Sequence, residues 1–124
     1  MIILKSQKKA LGYHGESLAL NHLILQGYEI IEANFFCKLG EIDIIARDNK
    51  YICFVEVKTR YGPHICTALE SITYSKTQKI KKAAKFYIQQ NNLHKNFFRF
   101  DAIEILLNEY STPKINLIKD AFRL

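Results

Sequence analysis

The stretch from Gly40 to Thr59, GEIDIIARDNKYICFVEVKT, leaves a folding chain few choices. It reads as two strands joined by a tight turn at Asp48-Asn49-Lys50, where Asn tolerates the positive φ that such a turn needs. From Glu41 to Arg47 the residues alternate: Glu41, Asp43, Ile45 and Arg47 point one way, and Ile42, Ile44 and Ala46 the other. From Tyr51 to Thr59, Ile52, Phe54, Glu56 and Lys58 share one face, and Cys53, Val55, Val57 and Thr59 the opposite one. With Asn49-Lys50 as a two-residue loop, Asp48 pairs with Tyr51. Counting back then sets Asp43 opposite Glu56 and Glu41 opposite Lys58. A slip of one residue would separate the two acids onto opposite faces.

Two carboxylates meeting across a mostly apolar hairpin repel, and the repulsion raises one pKa unless a cation intervenes. A hard divalent ion, Mg²⁺ or Mn²⁺, resolves the conflict with one or two carboxylates, water and a substrate phosphate. Lys58, on the face of Glu56 and two residues along, then orients a water or offsets charge on phosphate. The bland alternative is a cross-strand ion-pair cluster on a solvated face. The apolar flanks speak against it, because strands so flanked are buried and keep charges for a reason.

Asp43 followed by Glu56-Val57-Lys58 resembles the metal-binding core of the PD-(D/E)XK nuclease superfamily. The wording GEIDIIA and FVEVKTR resembles more specifically the YraN family of Holliday-junction-resolvase-like proteins. Further matches are Gly15-Glu16, Ser71-Ile72-Thr73 with Lys76, Arg99-Phe100-Asp101 and Ala121-Phe122, so the likeness covers most of the chain. Ile42 stands where the superfamily signature has proline. The resemblance implies a restriction-endonuclease-like α/β fold. It also implies a metal site of Asp43 and Glu56, with Glu16 and the Val57 carbonyl as further ligands, and catalysis by Asp43, Glu56, Lys58 and Glu16.

The 124 residues suit one domain with a real core. No run approaches the ~18 apolar residues of a membrane span. In MIILKSQKK the apolar residues precede the charges, the reverse of a secretory signal. Cys37, Cys53 and Cys66 form neither an even set nor a C-x-x-C, so a reducing cytoplasm is expected. The net charge of +6 is clustered. Lys5, Lys8 and Lys9 form one group, and Lys76, Lys79, Lys81, Lys82, Lys85, Lys95 and Arg99 a second with no acid among them. A basic segment beside an acidic site fits an enzyme acting on a polyanion, which the resemblance implies is DNA in preference to RNA, although lysine-rich helix faces are also common on proteins that bind none.

Along the chain, residues 1–10 read as a loose basic arm and Tyr13 to Gln26 as a helix stopped by Gly27. Glu16 lies among Ala19, Leu20, Leu23 and Ile24, within about 80° on the wheel. Leu18 and Leu25 lie on the other side, so the helix reads as apolar nearly all round and well buried. Glu16 is there either for the metal site or for the helix dipole; the resemblance favours the first. A strand from Tyr28 to Phe35 leads to Gly40, expected to supply a bend or a close backbone approach. After the hairpin comes a long loop, Tyr61 to Ser75, of a length often functional. A helix from Tyr74 to Asn91 follows, capped by Thr73 or Ser75, with a buried stripe of Ile80, Ala83, Ala84, Tyr87 and Ile88. Lys81, Lys82 and Lys85 point outward, Gln78 beside them. Lys76 lies in the first turn on the stripe side, a poor place for a cation unless it serves an anion. Strands from Phe97 to Leu107 and from Lys114 to Phe122 flank a turn at Glu109 to Pro113. Asp101 is expected to pair with Arg99 or with a backbone amide.

The order αβββαββ gives an α/β layered domain with a mixed sheet over residues 1–124. The function expected is metal-dependent hydrolysis of nucleic-acid phosphodiesters, branched DNA among the candidates. Asp43, Glu56, Val57 and Glu16 would hold the ion. Lys76, Lys79, Lys81, Lys82, Lys85 and Arg60 would hold nucleic acid. The alternative is a nucleic-acid-binding module with this fold that does not cleave in isolation. A glycosidase is disfavoured for want of a sugar cleft. Related resolvases pair because a junction presents two strands, so a homodimer stays open, and no membrane partner is expected.

Overall fold

The computed structural model describes residues 5–62, 72–108 and 111–123. Helix α1 (Lys5–Leu25) precedes three antiparallel strands, β1 (Glu29–Cys37), β2 (Gly40–Asp48) and β3 (Tyr51–Tyr61). Helix α2 (Tyr74–Gln90) carries the chain across to β4 (Phe97–Asn108), parallel to β3, and β5 (Ser111–Phe122) returns antiparallel. The described order is the expected αβββαββ. The strands lie in sequence order in one mixed five-stranded sheet.

The period-two pattern of β3 builds both halves of the core. Cys53 and Val55 pack with Ala19, Leu23, Ile44, Ala46, Ile103 and Ile105 under α1. Ile52 and Phe54 pack with Ile45, Ile80, Ala83, Ala84, Tyr87 and Phe100 under α2. Every residue of the expected α2 stripe is buried. Thr73 caps that helix, its hydroxyl accepting from the Lys76 amide at 3.2 Å.

The hairpin register is the expected one. Asp48 faces Tyr51, Asn49 takes φ 54°, and the ladder runs to Ile44 opposite Val55. There it opens, because the Asp43 carboxylate rather than a backbone carbonyl accepts the Val57 amide, at 2.8 Å. Two expectations fail at this opening. Glu41 and Lys58 lie beyond the ladder and do not pair. Ile42, expected beside Ile44 and Ala46, packs with Ile45 on the α2 side: alternation requires an unbroken ladder, and it breaks at Asp43. Gly40 makes the close approach expected of it. A Cβ there would stand 3.0 Å from the Lys79 carbonyl, at a φ of 152°.

Helix α1 starts at Lys5, so residues 5–10, expected as a loose arm, belong to it. Nor is it buried all round. Ala19 and Leu23 are buried, whereas Ile24 and Leu25 are exposed, because the sheet covers only one side of the helix. Gly15 seats this helix on β3: a Cβ there would overlap the Thr59 hydroxyl. The expected loop at 61–75 is occupied by β3 to Tyr61 and by α2 from Tyr74, and 63–71 lie outside the described residues, as does 109–110 of the expected turn, whose other residues, 111–113, instead open β5 ahead of its expected start at Lys114.

At the turn end of the hairpin, Asp101 is fully buried and pairs with both partners expected of it. Arg99 grips it through Nε at 2.8 Å and through a terminal nitrogen at 2.9 Å, and the Asp120 amide donates at 3.0 Å. The Tyr28 hydroxyl donates to it at 3.0 Å. Arg99 also binds Asp48, which Lys119 meets at 3.1 Å. Burial works against the Asp48 charge, but Arg99 and Lys119 outweigh it and hold the carboxyl below its usual range. Arg99, counted with the basic segment from sequence, is thus committed inside the fold.

Candidate active site

The opening of the β2–β3 ladder brings together the residues singled out from sequence. Glu56 is only 5% exposed, on the α2 face of β3, and its carboxyl is within hydrogen-bonding reach of that of Asp43. Lys76, from the first turn of α2, forms an ion pair with Glu56. The Lys76 and Lys58 side chains also meet. Two acids and two lysines therefore share one end of the sheet beneath the N-terminus of α2. A pocket of about 340 Å³ opens beside them, lined by Gly40, Glu41, Glu56, Thr73, Ser75 and Lys76.

Their ionisation follows from this crowding. Burial, then the neighbouring Asp43, pushes Glu56 up to about 7, against the pull of Lys76. Burial and then the adjacent Lys76 lower Lys58 from the ordinary lysine value. Burial opposes the Lys76 charge too, but the Glu56 carboxylate outweighs it and the pKa rises. The site thus holds a carboxyl that keeps its proton near neutrality and an ammonium that releases its proton more readily than usual.

Glu16 stands at the margin. Burial and then Asp43 raise its pKa, while the Asn34 side chain hydrogen-bonds it. Asn34 holds φ 57° within β1. Among the described residues no three His, Cys, Asp or Glu side chains gather closely enough to hold an ion as they stand. Glu16 is therefore an outer neighbour of the Asp43–Glu56 pair.

The expected nucleic-acid residues divide. Lys79 flanks Gly40 at the pocket. Lys82 and Lys85 are exposed on α2 and Lys81 is half-buried. Arg60 is half-buried, and its Nε has no hydrogen-bond partner among the described residues. Sequence reasoning missed two features. One is the Lys76–Glu56 pair, for which first-turn placement on the stripe side was the available signal. The other is Glu104, beside Lys58 in the parallel register, with a buried carboxylate oxygen lacking a partner among the described residues. Nothing local marks it, because its neighbour comes from a strand more than forty residues away.

The acid pair makes stability depend on pH. The folded Glu56 pKa of about 7 lies above its ordinary 4.5, so between those values the folded state binds more protons than the unfolded. The contribution of Glu56 is thus fully present below about pH 4.5 and lost as pH rises through 7. Metal-free protein should lose stability across this window, on the order of a few kcal/mol. Urea midpoints for wild type and Glu56→Gln should diverge between pH 4.5 and 7.5. Parallel profiles would show that Glu56 titrates as an ordinary carboxyl.

The family model described as the uncharacterised protein family UPF0102 matches residues 15–105, which include every member of this site. The chain belongs to the UPF0102 family. This is the YraN family of the PD-(D/E)XK superfamily, as the hairpin wording suggested. A UPF0102 protein of Clostridium kluyveri is 50% identical over 122 residues, covering 98% of this chain and all of the relative. One from Clostridium novyi is 50% identical over 115 residues, covering 92% and 96%, and one from Clostridium tetani 47% over 122 residues, covering 98% and 100%. No helix among the described residues is long and apolar enough to cross a membrane.

Proposed function

We propose that this UPF0102 protein hydrolyses nucleic-acid phosphodiesters with a divalent metal, Mg²⁺ or Mn²⁺, and acts on DNA. The observation that carries the reading is the buried Glu56 carboxyl in hydrogen-bonding reach of Asp43, with Lys58 and Lys76 beside it. The pair suits a hard cation: its donors are oxygens, and two carboxyls this close repel, a conflict that a divalent ion resolves. Asp43 and Glu56 would hold the ion, with the Val57 carbonyl as a further donor and Glu16 acting through water. The metal would supply an activated water and offset charge on the phosphate.

The chain's own residues supply the rest. Asp43 is oriented by the Val57 amide, so its other oxygen has a defined direction. Lys58, with its lowered pKa, orients the attacking water and stabilises charge developing on the phosphate. Lys76 exchanges Glu56 for a substrate phosphate at the capped N-terminus of α2. Lys79, Lys82 and Lys85 add affinity that is blind to sequence.

One observation favours a second reading, a binding module that does not cleave in isolation: Lys76 already neutralises Glu56. Incubation of single-stranded, duplex, flap and four-way DNA with Mn²⁺ separates the two. Metal-dependent cleavage of any substrate supports the enzyme; metal-independent binding without cleavage supports the module. In either case, changing Lys81, Lys82 and Lys85 to Ala should flatten the plot of log affinity against log salt by roughly one unit for each phosphate no longer neutralised. An unchanged slope would make these lysines a solubility face.

A further inference from the structure

Beside the acidic site lies an open groove of about 780 Å³, lined by Phe35, Phe36, Cys37, Lys38, Leu39, Phe86 and Gln90. Its apolar side chains face water: Phe36 is 69% exposed, Leu39 48% and Phe86 39%. Beneath them Phe35 packs edge-on against Tyr87 at 5.1 Å and lies 6.5 Å from Phe86, so the floor is a packed aromatic cluster. Exposed aromatics on a packed base, clustered rather than scattered, mark a contact surface.

The surroundings say what it contacts. Lys38 lies in the groove itself, and Lys79, Lys82 and Phe86 share one flank of α2 at helical spacing. The acids nearby are Glu41, in the neighbouring pocket, and Glu32, whose charge acts on Tyr87. The groove and the active-site pocket adjoin along the chain, Leu39 lining the one and Gly40 the other, and Gly40 packs close to the Lys79 carbonyl. From Lys76 to Phe86 is ten residues of helix, about 15 Å, the reach of a few nucleotides. Flat rings with lysines between them are how single-stranded nucleic acid is held: the cations follow the phosphates and bases stack on the rings whatever their sequence. Paired bases in a duplex cannot offer their faces to such a groove.

We infer that Phe36, Leu39 and Phe86 form a stacking platform for unpaired bases next to the phosphate being cut, so that the substrate is DNA with a single-stranded segment. The inference rests on the nucleic-acid reading above and names its substrate class. Lys76 engages the reacting phosphate, Lys79 and Lys82 the next ones along, and their bases turn into the groove.

Binding in EDTA tests this without any need for turnover, using a labelled twelve-nucleotide oligothymidine, the same strand with one 2-aminopurine, and a blunt duplex of equal length. The single strand should bind more tightly than the duplex, and 2-aminopurine fluorescence should be quenched by stacking. Phe36→Ala with Phe86→Ala should weaken single-strand binding by roughly fivefold or more for each ring removed, abolish the quenching, and leave duplex affinity unchanged. Phe36→Leu with Phe86→Leu keeps an apolar surface and should lose the quenching too, which separates stacking from folding defects. Equal losses on both probes, or quenching that survives in the Leu variants, overturns the platform. Tight duplex binding with weak single-strand binding overturns it while leaving the nuclease reading in place. Binding to neither probe removes both.

Discussion

Asp43→Asn is expected to leave the metal-free protein as stable as wild type or more stable, by up to about 2 kcal/mol at pH 7, while abolishing both metal binding and cleavage. Asp43 is the second cause of the raised Glu56 pKa, after burial. An amide of nearly the same shape removes the repulsion, and its oxygen can still accept the Val57 amide that Asp43 now accepts at 2.8 Å. Without Asp43 the Glu56 carboxyl ionises at lower pH, paired with Lys76, and the pH dependence of stability flattens. The ion site loses a charge it needs, so the rise in Tm produced by Mn²⁺ in wild type should vanish, because a ligand stabilises only the fold that binds it. Lys58→Met separates the roles: the thermal shift survives, since an ammonium is no ligand, and turnover falls. If Asp43→Asn instead costs the apo protein about 2 kcal/mol or more, Asp43 is a structural anchor for Val57, and the metal reading loses its main support.

Asp101→Ala should have the opposite character, costing roughly 3–5 kcal/mol with no direct effect on the chemistry. It would remove the acceptor of Arg99, Tyr28 and the Asp120 amide from a position with no solvent access. Arg99 would keep Asp48 as its one carboxylate, with the Tyr28 hydroxyl beside it. The neighbouring Cys53, whose thiol burial pushes up to about 12, shows how little the surroundings tolerate an added charge. Urea unfolding should show a lower midpoint at unchanged slope. Replacing Arg99 with Met and Asp101 with Leu together should recover part of the loss, since no charge is then left unpaired. At a temperature where Asp101→Ala is folded, the Mn²⁺ thermal shift should persist. A cost below about 1 kcal/mol would mean that water relaxes into the site and satisfies Arg99.

The wording around Asp43 and Glu56-Val57-Lys58 was enough to place the chain in its family and fold, and the α2 stripe was legible because helical spacing is a local property. The start of α1 was not. A Lys-rich segment with few apolar residues carries no periodic signal, yet it continues the helix from Lys5. The exposure of Ile24 and Leu25 was equally hidden, since a wheel shows which residues are apolar but not how far the sheet extends beneath them.

Alternation and turn length are properties of a single hairpin, so the sequence alone determined the register from Asp48 opposite Tyr51 to Ile44 opposite Val55; Asp43 meets Glu56 just past the end of that ladder, side chain to side chain. Only the tertiary structure decided what those acids meet. Lys76 reaches Glu56 because α2 crosses over the sheet and ends its first turn there, and Glu104 stands beside Lys58 because β4 runs parallel to β3. Phe36 comes beside Phe86 by the same packing. Each of these contacts joins residues from different elements, set by how buried faces stack and by the length of the crossover. No local pattern encodes them, and they give the acid pair its pKa, its counter-charge and the groove at its side.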